Sequence, residues 1–254
     1  MPVAETIFRK SRLLSAHGFV GLFSLRTGGV SSAPFDTLNL GQNLGDRPEN
    51  VEKNLSILID QAGLHDRPHQ ADQVHGTDVL ICRGAGRNHS RQADILLSTE
   101  LNRTVAVRTA DCVPILLADP ETGIVAAVHA GWRGTVQNVA GRAVQEMCER
   151  GARAKNILAS LGPSIGPCCF TLSKDVWLSL KHLCGSREGN ELGPYTADLA
   201  AINMTQLSRA GVISEHMERF HMCTHCQPGL FFSYRRDGGC TGRHLAIVGC
   251  PSDA

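Results

Sequence analysis

Between residues 78 and 129 the chain places five short, β-branched apolar segments in close succession: 78–82, 93–98, 104–109, 113–118 and 124–129. Segments of this length and composition fit strands rather than helices. The fifth, Ile124-Val125-Ala126-Ala127-Val128-His129, shows almost no alternation of apolar with polar residues, which implies a strand buried on both faces.

Helices are expected around these strands. Asp46, with Glu49 three positions on, has the form of a helix N-terminus, and Val51, Leu55, Leu58, Ile59 and Ala62 share one face before Gly63 ends the turn. Residues 135–151 predict a second helix with Val136, Val139, Ala143, Val144 and Met147 inward, and further helices are expected over 173–183 and 196–210. Residues 19–27 and 156–161 read as strands, and 231–235 and 244–248 as a closing pair joined by Asp237-Gly238-Gly239. Residues 185–194, polar and punctuated by glycines, form the best loop. No repeat, Pro-rich linker or low-complexity block is visible, so the expectation is a single α/β domain over residues 1–254.

An apolar content of 42% fits a globule with a substantial core. A formal charge of +1, from 25 basic and 24 acidic residues, gives no global electrostatic reason to bind nucleic acid or a membrane surface. There is no long uninterrupted apolar run, and Met1-Pro2-Val3-Ala4-Glu5 lacks the order of a signal peptide, so a cytoplasmic protein acting on a small molecule is expected. Ten cysteines in a chain of this kind are expected to remain thiols, with Cys82, Cys148, Cys184 and Cys250 packing in the core.

Three blocks each end an apolar stretch on a soft or borderline metal ligand: Gln73-Val74-His75-Gly76-Thr77, Thr109-Ala110-Asp111-Cys112 and Val128-His129-Ala130-Gly131-Trp132-Arg133-Gly134. Three protein ligands leave a zinc ion a fourth position for water or substrate, whereas structural sites close with four. His129 ends a buried strand before a Gly-rich turn and a helix, where free N–H groups and Arg133 would suit an anion. Each residue also has a plainer reading: His75 and His129 as satisfied structural histidines, Cys112 as a buried thiol, Arg133 as a surface ion-pair partner. No local spacing links the three ligands.

Other motifs fail on context. Gly162-Pro163-Ser164-Ile165-Gly166 matches a nucleophile elbow, but Pro167 delays the helix that the elbow requires directly after its serine. His216-Met217-Glu218 with Cys223 and Cys226 is like the zinc deaminase signature, but Met222 stands where proline belongs and the spacing is too short. No second Cys-x2-Cys exists to complete a four-ligand zinc site with Cys223 and Cys226, which therefore read as incidental or redox-labile thiols, and the role of Cys168 and Cys169 is left open.

Taken in order, the blocks resemble the YfiH-like family, also called multicopper polyphenol oxidoreductase laccases, peptidoglycan editing factors or laccase-domain purine nucleoside phosphorylases. The resemblance runs from about Phe23 to Val248. It rests on the three blocks above together with Phe23-Ser24-Leu25-Arg26-Thr27-Gly28-Gly29, Leu38-Asn39-Leu40-Gly41, Gly162 to Gly166, and Phe231-Phe232-Ser233-Tyr234-Arg235-Arg236-Asp237. It implies a central β-sandwich flanked by helices, with one zinc on His75, Cys112 and His129, which would also be the catalytic residues, and with copper as the alternative metal. It further implies that Arg26, Asn39, Gln73, Arg133, Ser233 and Arg235 line the substrate pocket. The expected reaction is zinc-dependent phosphorolysis of inosine, guanosine, adenosine or methylthioadenosine with phosphate, together with adenosine deamination. The alternatives are amide hydrolysis on a cell-wall precursor, copper-dependent polyphenol oxidation, and a metal-stabilised binding module without activity.

Overall fold

All five crowded segments are strands, and they divide between two sheets packed face to face. The computed structural model describes residues 6–183 and 195–250; Cys184 and the loop expected over 185–194 lie outside the described residues. In chain order the strands are β1 (Phe8–Lys10), β2 (Val20–Ser24), β3 (Gln70–Asp72), β4 (Val79–Ile81), β5 (Asn88–Gln92), β6 (Ile95–Ser98) and β7 (Arg103–Thr109). They continue as β8 (Val113–Ala118), β9 (Val125–Ala130), β10 (Leu158–Leu161), β11 (Thr171–Leu172), β12 (Tyr195–Thr196), β13 (Met217–Arg219) and β14 (His244–Cys250). The helices are α1 (Arg12–Ala16), α2 (Pro48–Ala62), α3 (Trp132–Val136), α4 (Val139–Cys148), α5 (Lys174–Leu180) and α6 (Leu199–Arg209).

One sheet has the order β1-β2-β14-β7 and the other β13-β10-β8-β9-β6-β4, with β11-β12 and β3-β5 as separate two-stranded pairs. Side chains alternate across each sheet, so every central strand feeds two apolar layers. Leu96, Leu116, Val125 and Ala127 meet Phe23, Val105, Val107, Ala246 and Val248 between the sheets. Ile95, Leu97, Ile115, Leu117 and Val128 face α4 and α6 on the outer side of the larger sheet. Leu22, Ala106, Leu245 and Ile247 pack with Leu55 and Leu58 of α2 on the outer side of the smaller one. The molecule is thus a mixed α/β single domain of four layers, a β-sandwich with a helix layer on each side. That arrangement explains the missing alternation in β9, all six of whose residues are buried. Replacing one such leucine by alanine, Leu116 for example, costs about 2–5 kcal/mol in lost contacts and cavity.

Three local expectations give way to tertiary contacts. The helix over 135–151 is broken: α3 stops at Val136, Asn138 takes a left-handed φ of 62°, and α4 begins at Val139. In a continuous helix the Thr135 carbonyl would accept from the Val139 N–H; instead it accepts from the Asn138 N–H at 3.0 Å and from the Gln206 side chain at 2.7 Å. Asp46 does not cap α2, because its carboxylate accepts from Ser31 Oγ and Asn39 Nδ2, and the helix starts one turn position later at Pro48. Gly63 does end α2, at a φ of 65°. Residues 231–235 are not a strand, since β14 already pairs with β2 and β7 on its two edges and offers no third. The segment turns instead, with Ser233 Oγ accepting from the Arg236 N–H and the Arg236 guanidinium donating to the carbonyls of Phe231 and Thr224.

β9 positions the site. It runs antiparallel to both β6 and β8, so its C-terminal end meets the beginnings of both neighbours, with Val128 opposite Ile95 and Ala130 opposite Val113. Asp94 and Cys112, each one residue ahead of those strands, therefore come to the same end of the sheet as His129.

Candidate metal centre and substrate cavity

His75, Cys112 and His129 converge at that end, with one ligand atom from each within 4.8 Å of the others. The two imidazoles stand edge to face, 4.8 Å between centroids. The organising residue is Asp94, fully buried and absent from the expectations above. One of its oxygens accepts from His129 Nδ1 at 2.7 Å and from the His75 N–H at 3.0 Å, while the other accepts from the N–H groups of Val74 and Gly76. A carboxylate can only accept, so His129 carries its proton on Nδ1 and turns Nε2 toward Cys112 and His75. The same carboxylate gathers the 74–76 loop and holds His75 at a φ of 63°.

Burial alone would raise the Cys112 pKa, but the charge and hydrogen bond of His129, with His75 behind it, bring the thiol down to about 6. Burial would likewise lower His129, but the Cys112 thiolate and Asp94 push it up to about 9. Burial would also raise Asp94, and the His129 ring with the N–H groups of Gly76 and Val74 more than offsets it. The group thus favours a thiolate facing a protonated His129 ring. A Cβ placed on Gly131 would lie 2.7 Å from His75 Cδ2 and 3.1 Å from Cys112 Sγ, so the ligands close over a position that only glycine fits. Soft sulphur, two imidazole nitrogens and a carboxylate behind one of them suit a zinc-type ion with an open coordination position.

A cavity of about 710 Å³ opens over these residues, within the range of small-molecule sites. Of the six residues expected around a substrate, Gln73, Arg133 and Arg235 line it. Gln73 is held by a two-way pairing with the Arg108 backbone, at 2.7 and 2.8 Å. Arg133 is exposed, lies 4.4 Å over the Trp132 ring and pairs with no carboxylate among the described residues. Arg235 donates to the Thr171 carbonyl and lies over Phe170.

The other three sit outside the lining. Arg26 is bound to Asp36 through its carbonyl and carboxylate. Buried Asn39 accepts from the N–H groups of Gly41 and Arg243 and so braces two lining residues from behind. Fully buried Ser233 serves the turn already described. A helix N-terminus does follow His129, at Gly131, although α3 has only five residues. Two further arginines that no motif marks, Arg108 and Arg243, also line the cavity. Burial lowers the pKa of both, most for the guanidiniums' own desolvation, although arginine remains protonated in such settings. Asp111, also in the lining, is fixed in place: it accepts from Thr224 Oγ1 at 2.6 Å and from the Arg235 N–H at 2.7 Å.

Among known proteins, the family described as multi-copper polyphenol oxidoreductase laccase matches residues 20–251. The chain is 36% identical over 248 residues to the purine nucleoside phosphorylase YlmD of Geobacillus stearothermophilus, covering 91% of this chain and 90% of that one. It is 36% identical over 234 residues to the purine nucleoside phosphorylase YfiH of Escherichia coli, covering 91% and 93%. The crystal structure of YlmD from Geobacillus stearothermophilus has a TM-score of 0.87 to it at 32% identity, over 98% of both chains. With sequence and fold in agreement over nearly the whole length, the chain belongs to the multi-copper polyphenol oxidoreductase laccase family, that of YlmD and YfiH.

Proposed function

We propose that this protein is a zinc-dependent purine nucleoside phosphorylase that also deaminates adenosine. Inosine, guanosine, adenosine or methylthioadenosine would react with phosphate to give free base and the corresponding ribose 1-phosphate. The observation that supports this most is that one cavity joins a three-ligand Cys/His/His group to four guanidiniums, those of Arg108, Arg133, Arg235 and Arg243. Relatives named as purine nucleoside phosphorylases at 36% identity support the same reading.

In phosphorolysis a phosphate oxygen bonds to C1′ of the ribose while the bond from C1′ to the purine nitrogen breaks and the departing base takes up a proton. Arg133 is the best placed group for the phosphate, since its guanidinium lies over the Trp132 ring and pairs with no carboxylate among the described residues. The apolar side chains of Trp132, Ile165, Phe170 and Leu199 offer the base and sugar a surface with little water. Gln73, fixed by the Arg108 backbone, presents an oriented polar edge. His75, Cys112 and His129 would hold zinc, which when bound supplies the Lewis acidity that deamination at C6 of adenosine requires.

Copper oxidation chemistry is a poorer fit. Among the described residues the metal-capable groups pair His69 with His89 and His75 with His129, in separate places, whereas multicopper centres need many histidines together.

Zinc-loaded protein incubated with inosine, adenosine and methylthioadenosine, with and without phosphate, tests the proposal by chromatography of the products. Phosphate-dependent release of free base is expected, along with inosine from adenosine in the absence of phosphate. If neither forms at full metal occupancy, the purine reading is wrong and a cell-wall amide becomes the substrate to try.

A further inference from the structure

Four cysteines take no part in the chemistry above. Cys168 and Cys169 follow the 162–166 turn, and Cys223 and Cys226 bracket a turn after β13. The fold brings their sulphurs together: Cys169 Sγ lies 3.3 Å and Cys168 Sγ 3.7 Å from Cys226 Sγ, and all four ligand atoms fall within 4.8 Å of one another. Tetrahedral zinc–thiolate coordination with Zn–S bonds of about 2.3 Å has S···S edges of ~3.8 Å. A disulfide needs sulphurs at about 2.05 Å and would engage only two of the four.

The surroundings are arranged for sulphur as well. The Gly166 N–H donates to Cys223 Sγ at 3.2 Å, a bond that favours thiolate. The two loops are clamped by a short parallel bridge between Ser164 and Cys223, with the Thr224 N–H donating to the Ser164 carbonyl at 3.1 Å. A Cβ on Gly166 would lie 3.2 Å from Cys168 Sγ and 3.4 Å from Cys223 Cβ, so a small residue keeps the two strands of the cluster close.

We propose that Cys168, Cys169, Cys223 and Cys226 form a second metal site, closed by four thiolates, that takes a thiophilic divalent ion such as zinc and has a structural role. The Cys-x2-Cys pair found in the sequence is half of it, and the vicinal Cys168-Cys169 pair, more than fifty residues earlier, is the other half. Cys168 and Cys226 are exposed while Cys169 and Cys223 are half-buried, so the ion enters from solvent and the thiol protons leave to it on binding. Its effect is to fasten one wall of the cavity. Phe170, next to Cys169, lines that wall, and Arg235 both covers Phe170 and donates to Thr171. The site does not depend on which reaction the cavity performs.

Metal counting by mass spectrometry on protein purified in reductant with zinc, combined with cobalt substitution, tests this. The Cys112→Ala variant, whose four cysteines are untouched, should retain about one equivalent and, loaded with cobalt, show the intense visible bands of tetrahedral thiolate coordination. Cys226→Ser should lose that equivalent and those bands. If Cys226→Ser does not fold, the wild-type cobalt spectrum decides, since a site with one cysteine cannot give a tetrathiolate spectrum. Absence of metal and bands from folded Cys112→Ala, or a disulfide between Cys169 and Cys226 in the reduced preparation, overturns the proposal. Should the cavity residues hold no metal, wild type would carry a single equivalent, lost in Cys226→Ser and kept in Cys112→Ala.

Discussion

His129 and His244 are buried to the same degree, 4% and 5% exposed, each near the end of a central strand. Yet His129 is pushed up to about 9 and His244 down to about 3. The difference lies in what faces each ring. His129 meets the Cys112 thiolate and the Asp94 carboxylate. His244 meets burial first, then the cations Arg26 and Arg243, and the Phe232 N–H donates to its Nε2 at 2.8 Å, which requires the lone pair a proton would occupy. Enclosure by itself makes a histidine neutral; partners decide whether it becomes part of a charged, ligand-ready group or a fixed strut of the fold.

Removing the thiolate should have the largest effect. Cys112→Ala is expected to lower activity more than about 100-fold and to lose the metal of the cavity, while the far-ultraviolet spectrum stays that of a folded sandwich. Full activity in that variant would show that His129 belongs in the same class as His244. Asp94→Asn keeps the shape but removes the charge behind His129, and should cost roughly 10- to 100-fold in metal affinity or turnover, measured by chelator competition and initial rates.

His244 provides the opposite arm. Its folded pKa lies below the unfolded value of 6.5, so the unfolded chain binds the proton more readily and stability falls as pH drops from 6.5 toward 3. Between pH 7 and pH 5 this one group should remove roughly 2 kcal/mol, read from urea midpoints. His244→Gln, which retains an acceptor for Phe232, should flatten that slope; an unchanged slope would place the acid sensitivity elsewhere. The smallest effect is expected from Arg133→Ala, a cation paired with no carboxylate among the described residues: about a tenfold rise in KM for phosphate with little change for the nucleoside. Equal weakening of both would assign Arg133 a different task.

Much of the fold was legible because burial on two faces leaves a mark in composition. β7, β8 and β9 are apolar throughout their cores and could be placed to within a residue or two. β5, Asn88-His89-Ser90-Arg91-Gln92, carries no such mark, since its side chains are mostly exposed and only its backbone pairs with β3. The 231–235 segment shows the reverse failure, an aromatic-rich run that reads as a strand but finds both edges of β14 already paired. At the site, the ligand types were visible in three blocks, but their meeting is a product of β9 pairing with β6 and β8 together. Asp94 stayed hidden because, inside the apolar segment 93–98, a lone carboxylate carries no mark of the three N–H groups it collects. The arginines missed in the lining, Arg108 near the end of β7 and Arg243 just before β14, have no motif around them.

Asp111 has a φ of 97° and stands directly before Cys112. Its carboxylate is tied to Thr224 and Arg235, and its carbonyl accepts from the Ile165 N–H at 2.9 Å, so three distant segments are knotted one peptide bond from the cavity's thiolate. The surface turns 162–166 and 222–227 are thereby tied by hydrogen bonds to the residue that precedes Cys112. Cys112 is therefore anchored not by its own strand alone but by three loops that meet at the peptide before it.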